Sequence, residues 1–88
     1  MHLKYKFEIM ELGDQIVAIP VEKSICDFRG VIKMNETSAL IFQLLEKETT
    51  EQEIVELLEK EYDAPLNVIV DEVKKNIAEF NEKGLLTQ

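Results

Sequence analysis

The sequence predicts an α+β fold in which a three-stranded antiparallel sheet is followed by three helices. Its first third contains three short segments of β-type residues separated by turn signals. A helix start follows the third segment with almost no loop between them. Two more stripes of apolar residues at helical spacing complete the 88-residue chain. This length predicts one domain over residues 1–88.

The first two strands are predicted to form a hairpin. Residues 7–12 alternate partly between apolar and polar side chains, and residues 15–21 are apolar and rich in β-branched residues. Between them, Gly13 precedes Asp14, an order that favours a type II′ turn. Pro20 lacks an N–H group, so we expect it near the end of its strand or facing an unpaired edge.

The third strand, residues 30–34, is joined directly to the first helix. Asn35 is a good N-cap because its side-chain oxygen can accept hydrogen bonds from the free N–H groups of the first turn. We expect this helix to end between residues 46 and 49. Because the last strand of a small sheet is thus held against a helix, we expect one of its edges to stay unpaired. Such an edge can accept an extended peptide.

Two further helices follow. Thr50 and Glu53 match a capping box at the start of the second helix. Its apolar stripe is Ile54, Leu57, Leu58 and Tyr62. The third helix is predicted to start between Pro65 and Val68 and to stop at Gly84. Its stripe is Leu66, Ile69 or Val70, Val73, Ile77 and Phe80, and Leu85 and Leu86 are expected to fold back over the core.

The net charge lies in the helical half of the chain. Residues 1–33 carry five basic and five acidic side chains, whereas residues 34–88 carry five basic and thirteen acidic ones. The formal charge of −8 therefore belongs to the second part. Nucleic-acid binding depends on a basic patch that neutralises phosphates, so this distribution argues against a nucleic-acid partner.

The chain is expected to be cytoplasmic and to have no membrane partner. No apolar run approaches the ~18–20 residues of a membrane-spanning helix, and the first residues lack the apolar core of a signal peptide. The single cysteine, Cys26, has no partner for an internal disulfide. A lone thiol fits a reducing compartment.

No group of residues predicts catalysis. His2 stands at a terminus that is expected to fray and has no nameable partner. Cys26 lacks an obvious activating cation and is interpreted as a plain, partly buried thiol. The carboxylates of the second helix solvate that helix or form a docking face for a basic partner. We therefore expect no catalytic residue, no metal site and no cofactor.

Several stretches together carry a resemblance to a known family. They are residues 31–37 with 40–45, residues 50–58 with Tyr62, and Val73, Ile77 and Phe80 with residues 84–86. In hydrophobic spacing and in the Asn-Glu helix start they resemble the PqqD-like family, named for a protein of pyrroloquinoline quinone biosynthesis. Many members carry Trp where Phe42 stands here. The resemblance implies a winged helix-turn-helix-like arrangement.

The resemblance also implies a function. Members of this family bind the leader segment of a ribosomally made precursor peptide, which lies along the third strand and against the third helix. The chain would then be an adaptor without catalytic activity. Its partner would be a peptide-modifying enzyme, such as a radical-SAM enzyme or a leader peptidase. The peptide-binding residues would be Arg29, Gly30, Val31, Ile32, Lys33 and Met34 on the strand, and Val70, Val73, Lys74 and Ile77 on the helix.

The sequence leaves two features of this site open. Either Val31 and Lys33 or Ile32 and Met34 could face the groove, because alternate residues of a strand point to opposite sides. The cations Arg29, Lys33 and Lys74 could pair with acidic leader residues or could be ordinary surface charges.

Two other functions compete with peptide binding. A winged-helix DNA-binding regulator is one, but residues 66–83 carry three lysines against four acidic residues. That net charge of −1 is poor for a recognition helix that faces phosphates. The other is a regulatory or structural subunit that binds only a protein partner.

Overall fold

A computed structural model describes residues 1–21 and 31–87 of the chain. The strands and helices in chain order are β1 His2–Leu3, β2 Phe7–Leu12, β3 Gln15–Pro20, β4 Ile32–Met34, α1 Glu36–Leu44, α2 Glu51–Glu61, α3 Leu66–Glu82 and β5 Leu86–Thr87. Strands β2, β3 and β4 form an antiparallel sheet in that order, and the three helices follow it. The predicted α+β order is confirmed.

The hairpin has the predicted turn. Gly13 has a φ of +67°, whereas Asp14 does not adopt a positive φ. A type II′ turn needs the positive value only at its first central residue, which explains the glycine there. Pro20 is the last residue of β3, where a missing N–H disturbs the ladder least.

The chain termini pair with each other, which corrects the expectation that His2 frays. Strands β1 and β5 form a separate antiparallel pair, and the N–H of Leu3 donates to the carbonyl of Leu45 at 2.8 Å. The N-terminal ammonium group donates to the carboxylate of Glu48, and this hydrogen bond lowers the pKa of that carboxyl. Nothing local in two residues predicts such a strand, because its partner is more than eighty positions away.

The helix starts follow the predicted caps, with one difference. The Asn35 side-chain oxygen accepts from the N–H of Ser38 at 2.8 Å, and the Thr50 hydroxyl accepts from the N–H of Glu53 at 3.2 Å. The carboxylate of Glu53, however, accepts from the hydroxyl of Thr49 at 3.2 Å. In a capping box, the Glu53 carboxylate would accept a hydrogen bond from the backbone N–H of Thr50. Here it accepts one from the neighbouring threonine instead.

The helix ends are set by backbone geometry. Helix α1 ends at Leu44, two residues before the predicted range. Helix α3 ends at Glu82, and Gly84 adopts a φ of +75°. The N–H of Leu85 then donates back to the carbonyl of Phe80 at 3.0 Å. This turn is the glycine-based helix stop that the sequence predicts, and it directs the buried side chains of Leu85 and Leu86 onto the core.

The core lies between one face of the sheet and the helices. Phe42 of α1 is fully buried at its centre. Its ring meets the Phe7 ring of β2 and the Phe80 ring of α3 edge-on, with centroid distances of 5.1 and 5.3 Å. Edge-to-face pairs at this spacing are favourable beyond the area they bury. The three rings therefore join the sheet, α1 and α3 into one packed unit.

Candidate functional site

Strand β4 has one paired edge and one edge without a strand partner in the part of the chain that the structure describes. On its paired side, Ile32 lies opposite Ala18 of β3, and Met34 lies opposite Ile16. On the other side, the described residues 1–21 and 31–87 provide no neighbouring strand. We call this the β4 edge, meaning the outer side of residues 31–34.

The register shows which backbone groups the β4 edge exposes. The N–H of Val21 donates to the carbonyl of Lys6 at 3.0 Å, which makes this a hydrogen-bonded pair of the β2–β3 ladder. Such pairs alternate along an antiparallel ladder, so the even-numbered residues of β3 direct their backbone groups toward β4. The backbone of Ile32 and Met34 therefore bonds to β3. The N–H and C=O of Lys33 point outward, as do those of Val31 by the same alternation.

The side chains of β4 divide between the two faces of the sheet. Ile32 is 5% exposed and lies in the core, and Met34 is half-buried against it. These two side chains therefore point toward the helices. Val31 is 51% exposed and Lys33 is also exposed, on the opposite face. A chain that paired with the β4 edge would place alternate side chains on the helix side and on the opposite face of the sheet.

The four predicted residues of α3 differ in what they can contact. Val70 and Ile77 are half-buried and pack on the edge of the core. Lys74 lies between them in the helical spacing and is exposed. Val73 is 0% exposed. Its side chain therefore packs in the core and cannot contact a bound peptide. The predicted residues Arg29 and Gly30 lie outside the described residues.

A buried polar contact that sequence reasoning missed connects α1 to α3. The hydroxyl of Ser38 donates to Oδ1 of Asn76 at 2.6 Å, and Nδ2 of Asn76 donates to the carbonyl of Glu72 at 2.8 Å. Asn76 is only 4% exposed. Ser38 is the third residue of α1, which follows β4 after Asn35 alone, so this contact links the middle of α3 to the start of α1. The sequence does contain a sign of this contact, because Asn76 falls within the apolar stripe of Ile69, Val73 and Phe80.

Removing the Ser38 hydroxyl is expected to destabilise the fold. Ser38→Ala leaves Oδ1 of the buried Asn76 without its donor, which costs about 1–3 kcal/mol. Adding Asn76→Leu removes the orphaned amide and is expected to recover most of that loss, because an apolar residue then completes the stripe. Urea unfolding of both variants measures the two values. A double variant that is no more stable than Ser38→Ala would contradict this account.

The described ranges, residues 1–21 and 31–87, hold no metal-binding cluster and no membrane span. They contain no group of three His, Cys, Asp or Glu side chains placed to hold a metal ion. None of the helices in these ranges has the length and apolar character needed to cross a membrane.

Comparisons with known proteins identify the family. No curated protein sequence matches the chain. A solved structure described as TbiB1 in complex with the TbiA(beta) leader peptide has a similar fold, with a TM-score of 0.71 and 17% sequence identity. The similarity covers 98% of this chain and 94% of that one. The family model of coenzyme PQQ synthesis protein D (PqqD) matches residues 15–86, which span β3 through β5. The chain therefore belongs to the PqqD family.

Proposed function

We propose that this protein is a non-catalytic adaptor that binds the leader segment of a ribosomally synthesised precursor peptide and presents it to a maturation enzyme. The observation that carries the proposal is the β4 edge, which has no strand partner among the described residues and directs the backbone groups of Lys33 outward, in a member of the PqqD family. The similarly folded TbiB1 was solved with a leader peptide bound, which supports a peptide as the ligand.

The leader would bind as an added strand. Its main-chain groups would pair with the outward N–H and C=O of Lys33 and Val31, and each hydrogen bond contributes about 0.5–1.5 kcal/mol net. Its side chains on the helix side would meet Met34 and the half-buried Val70 and Ile77. Main-chain bonds would thus supply affinity, and the apolar contacts on alternate residues would supply specificity.

Charge would add a second element of specificity. Lys33 and Lys74 are exposed cations on a chain with a formal charge of −8. An acidic leader residue on the face of the added strand opposite the helices could pair with Lys33. Exposed ion pairs of this kind contribute at most about 1 kcal/mol, so they would tune the choice of leader rather than determine binding.

The adaptor would present the precursor peptide to the enzyme by tethering it. A leader held on the adaptor keeps the attached core peptide near any enzyme that binds the same adaptor. The effective concentration then reaches about the mM range for short linkers. The chemistry would belong to the partner, for which a radical-SAM enzyme or a leader peptidase is our proposal.

Titration with a leader peptide tests the proposal. We expect the purified chain to bind the leader of the precursor encoded beside its gene without added metal or nucleotide. Isothermal titration calorimetry measures the affinity, and a scrambled leader of the same composition is the control. A dissociation constant of about 1 mM corresponds to roughly −4 kcal/mol. Absence of heat from the true leader up to that concentration at two temperatures would refute leader binding, because the heat-capacity change keeps the binding enthalpy from being zero at both.

The two competing functions predict other results. A DNA-binding regulator would bind duplex DNA with an affinity that falls steeply as salt rises. The net charge of −1 over residues 66–83 disfavours this. A subunit that binds only a protein partner would keep its enzyme affinity and show no leader affinity, whether or not the β4 edge is blocked.

A further inference from the structure

We propose that a pocket between the end of α2 and the start of α3 is a second docking site, which accepts a large apolar side chain flanked by basic residues from a protein partner. This site goes beyond leader binding. We call it the α2–α3 pocket. Its apolar wall consists of Thr37, Leu58, Tyr62, Ala64, Val68 and Ile69.

The size of the α2–α3 pocket suits one side chain. Its volume is about 240 Å³, which is less than the ~300–1,000 Å³ typical of small-molecule sites. Val68 is 51% exposed although it is a branched aliphatic residue on the first turn of α3. Covering this side chain would remove apolar area from water, which favours a complex.

The charges around the α2–α3 pocket indicate the chemistry of its occupant. Glu72 lines the pocket directly. Residues 58–72 contain five acidic residues and one lysine, giving a net charge of −4. Two of the acidic residues, Glu61 and Asp63, flank Tyr62 in the chain, and Asp71 lies one helical turn from Val68. An apolar side chain with neighbouring lysines or arginines would therefore match both the wall and the rim.

The α2–α3 pocket shares no lining residue with the proposed leader site. None of its lining residues belongs to β4, and Val70, Lys74 and Ile77 do not line it either. A leader that contacted only the residues of the proposed leader site would leave the pocket free for a different protein segment. A maturation enzyme that supplied such a segment could bind the adaptor and the leader at the same time.

A pair of matched variants tests the proposal. The probe is the capped tripeptide acetyl-Lys-Phe-Lys-amide, titrated into the ¹⁵N-labelled full chain and followed by NMR. We expect chemical-shift changes at Thr37, Tyr62 and Val68, and at least fivefold weaker binding of acetyl-Glu-Phe-Glu-amide and acetyl-Lys-Ala-Lys-amide.

Val68→Asp is expected to weaken binding of the Lys-Phe-Lys probe at least fivefold. The helix start tolerates aspartate at this position because the dipole favours a negative charge there.

Leu12→Asp provides the matched control, since Leu12 and Val68 are similarly exposed, at 54% and 51%. Leu12→Asp should leave probe binding unchanged, because Leu12 does not line the pocket. Equal loss of probe binding in both variants, no binding of the probe up to about 10 mM, or displacement of the probe by a leader peptide would overturn the second site. Failure of leader binding with normal probe binding would instead contradict the proposed leader function alone.

Discussion

Lys33→Pro is expected to weaken leader binding at least tenfold while the protein stays folded. Proline removes the outward N–H of Lys33 that the register assigns to the β4 edge, and its ring occupies the space next to that edge. The bound leader then keeps a carbonyl without a donor, which costs about 1–3 kcal/mol. A tenfold change corresponds to about 1.4 kcal/mol. Calorimetry with the leader peptide measures the loss.

The control for this variant is Lys33→Thr, which removes the cation but keeps the backbone N–H. Its effect on leader affinity is expected to stay within about fivefold, as for an exposed ion pair. Both variants should retain the thermal unfolding midpoint of the parent, since proline is tolerated on an edge strand where the N–H faces outward. Unchanged leader affinity in a folded Lys33→Pro protein would exclude the β4 edge as the binding site.

Phe42→Ala is expected to lower the free energy of unfolding by about 3–5 kcal/mol. Phe42 is fully buried, and its ring is the shared member of the edge-on contacts with Phe7 and Phe80. Truncation therefore leaves a cavity at the junction of sheet, α1 and α3. Urea unfolding followed by circular dichroism measures the change.

Gln43→Ala is the matched control, because Gln43 is the next residue of α1 and is exposed. Its effect is expected to lie within about 0.5 kcal/mol. A loss below roughly 1.5 kcal/mol for Phe42→Ala would show that the surrounding side chains close the cavity, which would contradict the tight packing described above.

Local features of the fold were predictable because their causes are local. A positive φ at Gly13 and at Gly84, the N-caps Asn35 and Thr50, and the position of Pro20 each follow from the chemistry of a few neighbouring residues. The order of three strands and three helices follows from the period of the apolar residues. Together these local signals suffice to place β4 directly next to α1.

The candidate site was predictable only in part, because its details depend on contacts between distant residues. The side chain of Val73 belongs to the core and not to a groove surface. The bond between Ser38 and Asn76 spans 38 positions, and the pairing of β1 with β5 spans nearly the whole chain. Apolar periodicity finds a buried stripe, but it does not show which neighbour covers each residue of that stripe.

By itself the sequence determined the order of the three sheet strands β2 to β4 and the three helices, the helix boundaries to within a few residues, and the excess of negative charge in the helical half. Tertiary structure alone decided that Ile32 and Met34 face the helices and that the backbone of Lys33 points outward. The physical reason is that either set of alternate residues in a strand can face the core. Only the register against β3 and the burial of one face show which set does.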